Sequence, residues 1–64
     1  MAKIKIAHKI IVKYIDGSVE EFIPASPHTD YENCVEFNED KDGEVHLVSI
    51  ELSSVRYIRF VTKK

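Results

Sequence analysis

Val45-His46-Leu47-Val48-Ser49-Ile50-Glu51-Leu52-Ser53-Ser54-Val55-Arg56-Tyr57-Ile58-Arg59-Phe60-Val61 is the longest apolar-rich stretch of the chain. Val48, Ile50 and Leu52 share one parity. Alternation at period two is the mark of a strand with one buried face. The pattern breaks at Leu52-Ser53-Ser54-Val55 and resumes through Arg56 to Val61. Two serines between two apolar runs suit a one-turn 3-10 corner that carries the chain from one sheet to the next. The stretch therefore reads as two core strands joined at a tight corner.

Asp42-Gly43 lies just upstream. A two-residue type I′ turn needs positive φ at both central positions, which Asp-Gly tolerates cheaply. Placed there, the turn sets Lys41 opposite Glu44, Phe37 opposite Val48 and Val35 opposite Ile50. Turn chemistry and apolar parity agree on this register. The third strand is then Cys34 to Asn38, followed by a polar hairpin tip. Asp16-Gly17 offers the same turn earlier in the chain. It would oppose Tyr14 to Val19, Ile10 to Ile23 and Lys13 to Glu20, the last an ion pair worth roughly 0.2–1 kcal/mol. Glu21 then falls inward opposite Val12, a misfit that a bulge near Glu20-Glu21 would repair.

Ile4, Ile6, Ile10, Val12 and Tyr14 alternate with Lys3, Lys5, Lys9 and Lys13, which reads as the first strand. From Lys3 to Ile15 it would span about 40 Å at roughly 3.3 Å per residue, so a bend or bulge near Ala7-His8, or a frayed start, is expected. Pro24 ends the second strand because it cannot donate to a ladder. Residues 25–33 form a loop, with Ser26-Pro27 suited to open one helical turn. Thr62-Lys63-Lys64 reads as a solvated tail.

The expectation is an all-β chain forming a single domain over residues 1–64. About five antiparallel strands make a small barrel or a strongly bent meander sheet. That layout, with the phrase Leu52-Ser53-Ser54-Val55-Arg56-Tyr57-Ile58, resembles SH3-like and Sm-like small barrels. The resemblance implies a 3-10 turn near Ser53-Ser54, just before the last strand. The polyproline-binding aromatic cluster of peptide-binding SH3 domains has no counterpart here.

A 64-residue chain has a thin core, burying only about 60% of its unfolded surface. Its one cysteine excludes an internal disulfide, so self-association is the expected additional source of stability. Nine Lys and Arg against eleven Asp and Glu give a net charge of −2. That balance argues against a binder of nucleic acid or membrane over its whole surface. There is no apolar run of about 18 residues that would span a membrane. A lone Cys34 behind an alternating N-terminus, rather than a signal peptide, points to the cytoplasm.

Few residues suggest chemistry. Ser26, His28 and Asp30 are neighbours on one irregular loop, where the geometry of a triad is rarely met, and no Gly-rich oxyanion element accompanies them. Cys34, His8, His28 and His46 lack metal-ligand spacing. Glu36, Glu39, Asp40, Asp42 and Glu44 read as a solvated hairpin tip rather than a calcium loop. The chain is therefore expected to be no enzyme and to carry no cofactor and no metal.

The last strand is apolar at both parities: Ile58 and Phe60 on one, Val55, Tyr57 and Val61 on the other. A thin barrel buries only one face, and an exposed apolar surface marks a contact. The expected function is a non-enzymatic binding or assembly module acting by protein–protein contact, including pairing of this strand with a second copy. Its surface is Arg56, Tyr57, Arg59 and Val61, with His28 and Tyr31 from the 25–33 loop as further contacts. The alternative is a small RNA- or single-stranded-DNA-binding protein. It would use the basic–aromatic cluster Arg56, Tyr57, Arg59 and Phe60, with Lys63 and Lys64, for stacking and phosphate pairing.

Overall fold

The structure, a computed structural model, describes residues 6–62. It is all-β, with two antiparallel sheets of three strands and one 3-10 turn, and the sheets do not close into a barrel. The strands are β1 (Lys9–Tyr14), β2 (Val19–Phe22), β3 (Thr29–Asp30), β4 (Cys34–Lys41), β5 (Glu44–Glu51) and β6 (Val55–Val61). The turn, Leu52–Ser54, lies between β5 and β6, where the paired serines placed it. One sheet is ordered β2-β1-β6 and the other β3-β4-β5. The expected strand through Lys3, Ile4 and Lys5 lies outside the described residues, as do Lys63 and Lys64 of the expected tail. A bend at His8 precedes β1, whose neighbour β6 accepts the His8 N–H at the Val61 carbonyl, 2.7 Å.

The sheets are joined where β2 runs on into β4. Asp40 N–H donates to the Ile23 carbonyl and Ala25 N–H to the Asn38 carbonyl, flanking the bridge between Pro24 and Glu39. The bonds fall on either side of Pro24, so the N–H that proline lacks is not needed in that ladder. The core lies between the sheets. Ile10, Val12 and Phe22 come from one, and Val35, Phe37 and Ile50 from the other. Phe22 and Phe37 meet edge to face across the middle, centroids 5.4 Å apart.

The second hairpin has the expected register, Lys41 opposite Glu44, Phe37 opposite Val48 and Val35 opposite Ile50. Asp42 and Gly43 both take positive φ, 54° and 80°, as a type I′ turn requires. Strand β4 extends to Lys41, further than the expected Asn38. A Cβ at Gly43 would meet nothing within 4 Å, so Gly43→Ala adds backbone strain alone. That strain of about 1–2 kcal/mol exceeds the entropy an alanine removes from the unfolded chain. We expect the urea midpoint to fall by the equivalent of about 1 kcal/mol at unchanged slope.

The first hairpin corrects the expected register by one residue. Lys13 faces Val19, Val12 faces Glu20, Ile11 faces Glu21 and Ile10 faces Phe22. The reason lies in the turn. Asp16 accepts two hydrogen bonds from Ser18, from its N–H at 2.8 Å and its hydroxyl at 2.6 Å, and only Gly17 takes positive φ. Gly17 N–H donates to the Tyr14 carbonyl and Tyr14 N–H to the Ser18 carbonyl, closing a three-residue loop over 15–17. The extra loop residue turns Phe22 inward and Glu21 and Ile23 outward, so no bulge near Glu20-Glu21 is needed. The expected Lys13–Glu20 pair is absent from this register, and Lys9 pairs with Glu21 instead, at 3.4 Å.

Glu20 keeps core-side parity but sits at the rim, where its carboxylate accepts the Tyr14 hydroxyl at 2.5 Å. Burial first, then this hydrogen bond and the nearby Glu20 and Asp16 charges, push the Tyr14 phenol up to about 12. A raised phenol favours the folded state fully below its unfolded pKa, near 10, and loses that contribution as pH climbs through about 12. Urea titrations between pH 9 and 12 should therefore show wild type losing more stability than Tyr14→Phe. Equal losses would remove the phenol from the account.

The loop over 25–33 contains no helical turn. Its middle forms the two-residue strand β3, pairing Thr29 with Glu36 and Asp30 with Val35. Ser26 does not cap a helix, because its hydroxyl instead accepts from the Asn38 side-chain amide and backbone N–H, at 3.2 and 3.3 Å.

Candidate interaction surface

Among the described residues, strand β6 is an edge of its sheet, paired only with β1. Its register runs Val61 opposite Lys9, Phe60 opposite Ile10, Arg59 opposite Ile11, Ile58 opposite Val12 and Tyr57 opposite Lys13. Val55 then faces Tyr14, which leaves Arg56 as the extra residue of a β-bulge. The bulge removes Val55 from the apparent excess of apolar parity and leaves Tyr57 and Val61 outward. It resets the alternation, so Val55 and Ile58 both pack against the core.

Phe60 has core-side parity but lies at the margin, and its ring is covered by His28. The two rings stack at 4.1 Å, 19° from parallel. His28 Nε2 is 3.4 Å from an Asp30 carboxylate oxygen. The 25–33 loop thus covers the inner side of β6 and leaves the outer side open.

Residues directly opposed on neighbouring strands share a face. Since Ile10 and Val12 are buried inward, the outward face carries three rows. Val19, Lys13 and Tyr57 form one, Glu21, Ile11 and Arg59 the next, and Lys9 with Val61 the third. Tyr57 is 38% exposed, and the Arg59 guanidinium lies over its ring, 4.7 Å from the centroid. Among the described residues, three cations, Lys9, Lys13 and Arg59, stand on this face against one carboxylate, Glu21.

The structure therefore gathers Tyr57, Arg59 and Val61 on one face and adds Lys9 and Lys13 to them. Arg56 stands apart at the bulge, and His28 is engaged on the inner side of β6. Tyr31, 53% exposed, lines a shallow depression of about 520 Å³ with Asn33, Cys34 and Glu36, beside the other sheet.

That second sheet has an outward face too. Its rows are Cys34 with Glu51, Thr29 with Glu36 and Ser49, Asn38 with Leu47, and Asp40 with Val45. Leu47 and Val45, 69% and 64% exposed, are the most exposed large hydrophobic residues described. Among the described residues these rows hold three carboxylates, Glu36, Asp40 and Glu51, and no cation. This surface does not follow from the richness of β5 in apolar residues. It follows from register, because setting Phe37 against Val48 sends Val45 and Leu47 to the opposite side.

Among the described residues no helix is long and apolar enough to cross a membrane. No protein-family model, no curated protein and no solved structure matches the chain.

Proposed function

We propose that the chain is a non-enzymatic binding or assembly module that works by protein–protein contact, with self-association through the outward face of β6 as its mode. The observation that carries this reading is the edge strand presenting Tyr57, Arg59 and Val61 together on an uncovered face. Tyrosine and arginine are favoured interface anchors, and an edge strand offers free backbone groups to a partner. Its small core also gains from association. A single half-buried cysteine suits a reducing compartment such as the cytoplasm.

Lys9 and Lys13 beside Tyr57 and Arg59 favour one second reading, binding of RNA or single-stranded DNA. Three cations on one face predict a log–log salt slope of about −2 for a single strand, from roughly 0.7 per phosphate contact. Glu21 within the same face, and the Tyr57 ring already occupied by Arg59, favour a protein partner. Sedimentation from about 1 μM to 1 mM, with and without polyuridylate, separates the readings. Mass rising with protein concentration alone supports assembly. A monomer at every concentration that binds polyuridylate with that slope supports the second reading in its place.

A further inference from the structure

We infer that self-association is head to tail, the basic face of β2-β1-β6 in one copy seating on the acidic face of β3-β4-β5 in the next. The inference rests on the assembly reading above and adds the receiving surface. The two sheets pack through their inner faces, so their outer faces point away from each other. One presents Lys9, Lys13 and Arg59 around Ile11, Tyr57 and Val61, and the other Glu36, Asp40 and Glu51 around Val45 and Leu47. Each face is poorly suited to itself, because pairing like with like would oppose two faces with a positive excess, three cations against the one carboxylate Glu21, or two faces with three carboxylates. Each supplies the charge the other lacks, and each adds apolar surface, Ile11 with Tyr57 and Val61 on the first and Val45 with Leu47 along the edge strand β5 of the second.

Size sets the strength. Three strands about 4.8 Å apart and about 20 Å long give a flat footprint of roughly 300 Å², well below the roughly 800 Å² per partner of a stable complex. Contact on this scale is weak, so charge complementarity decides which faces meet. A heterologous contact also leaves one free face on each terminal copy. It continues into a stack or closes into a ring, whereas an isologous contact stops at two.

Complementation tests this arrangement. One variant, Tyr57→Ser with Arg59→Ser, strips the basic face of its aromatic ring and one of its cations. A second, Val45→Thr with Leu47→Thr, strips the acidic face of its exposed apolar side chains. All four positions are exposed, and circular dichroism and melting verify that each variant folds. Each alone should self-associate at least about tenfold more weakly than wild type. Mixed in equal amounts, the intact acidic face of the first meets the intact basic face of the second. The mixture should recover wild-type affinity and stop at two chains. Wild-type assembly without recovery on mixing would overturn the head-to-tail arrangement and leave assembly standing. Wild type monomeric to 1 mM would overturn both.

Discussion

Phe37→Ala should remove much or all of the stability of the chain at 25 °C. Phe37 is 2% exposed and lies between the two sheets, its ring edge to face with Phe22. Truncating a buried phenylalanine costs about 3–5 kcal/mol, through lost transfer energy and the cavity left behind. The aromatic pair adds about 0.5–1.5 kcal/mol that Phe22 cannot recover elsewhere. At roughly 0.05–0.15 kcal/mol per residue, 64 residues give a total stability of roughly 3–10 kcal/mol, so this one change removes much or all of it. Phe37→Leu keeps most of the volume and should remain folded. Tyr31→Ala, at an exposed position, should shift stability by less than about 0.5 kcal/mol. Urea unfolding followed by circular dichroism checks all three. Cooperative unfolding of Phe37→Ala within about 1 kcal/mol of wild type would contradict a core built on the Phe22–Phe37 contact.

Tyr57→Ala combined with Arg59→Ala should weaken self-association at least about tenfold, equivalent to about 1.4 kcal/mol. The two side chains brace each other, with the guanidinium over the ring, so they reach a partner already ordered and lose less entropy on contact. Within the monomer the exposed cation–π contact is worth only about 0.5–1 kcal/mol, so the double variant should stay folded. Arg56→Ala is the informative control. Arg56 belongs to the same strand and has the same charge, but it is the extra residue of the bulge with no partner on β1, whereas Arg59 lies over the Tyr57 ring. It should leave association unchanged. Equal loss from Arg56→Ala would mean that charge in general, rather than the Tyr57–Arg59 face, drives association.

The second hairpin could be read from sequence because two independent signals agree. Asp42-Gly43 favours one turn, and only one register of that turn places Val35, Phe37, Val48 and Ile50 together. The first hairpin carries a similar dipeptide but a different loop. Asp16 bonds to Ser18, and that side-chain preference selects three loop residues over two, which moves every facing pair by one. Apolar pattern alone does not choose between the two, since the two-residue loop sends Glu21 to the core side and the three-residue loop sends Glu20 there. The bulge at Arg56 has no local signature. It is visible only once Val55 and Ile58, at opposite parities, are both found against the core.

The candidate surface was legible in part. Tyr57, Arg59 and Val61 share parity along a strand, so their common face follows from alternation. Lys9 and Lys13 join them through β1–β6 pairing, which links residues more than 40 positions apart and leaves no trace in either segment. His28 lies against Phe60 for the same reason, through a tertiary contact made by a loop with no periodicity. The two-residue β3 is too short for any period to register.

Contact through the β6 face should be visible in amide chemical shifts followed on dilution from about 1 mM to 20 μM. The resonances of Tyr57, Arg59 and Val61 should move with concentration, together with those of Val45 and Leu47 on the opposing face, while Val12 and Phe37 in the core stay fixed. Shifts that do not move, or movement confined to the Asp16-Gly17 and Asp42-Gly43 turns, would contradict it.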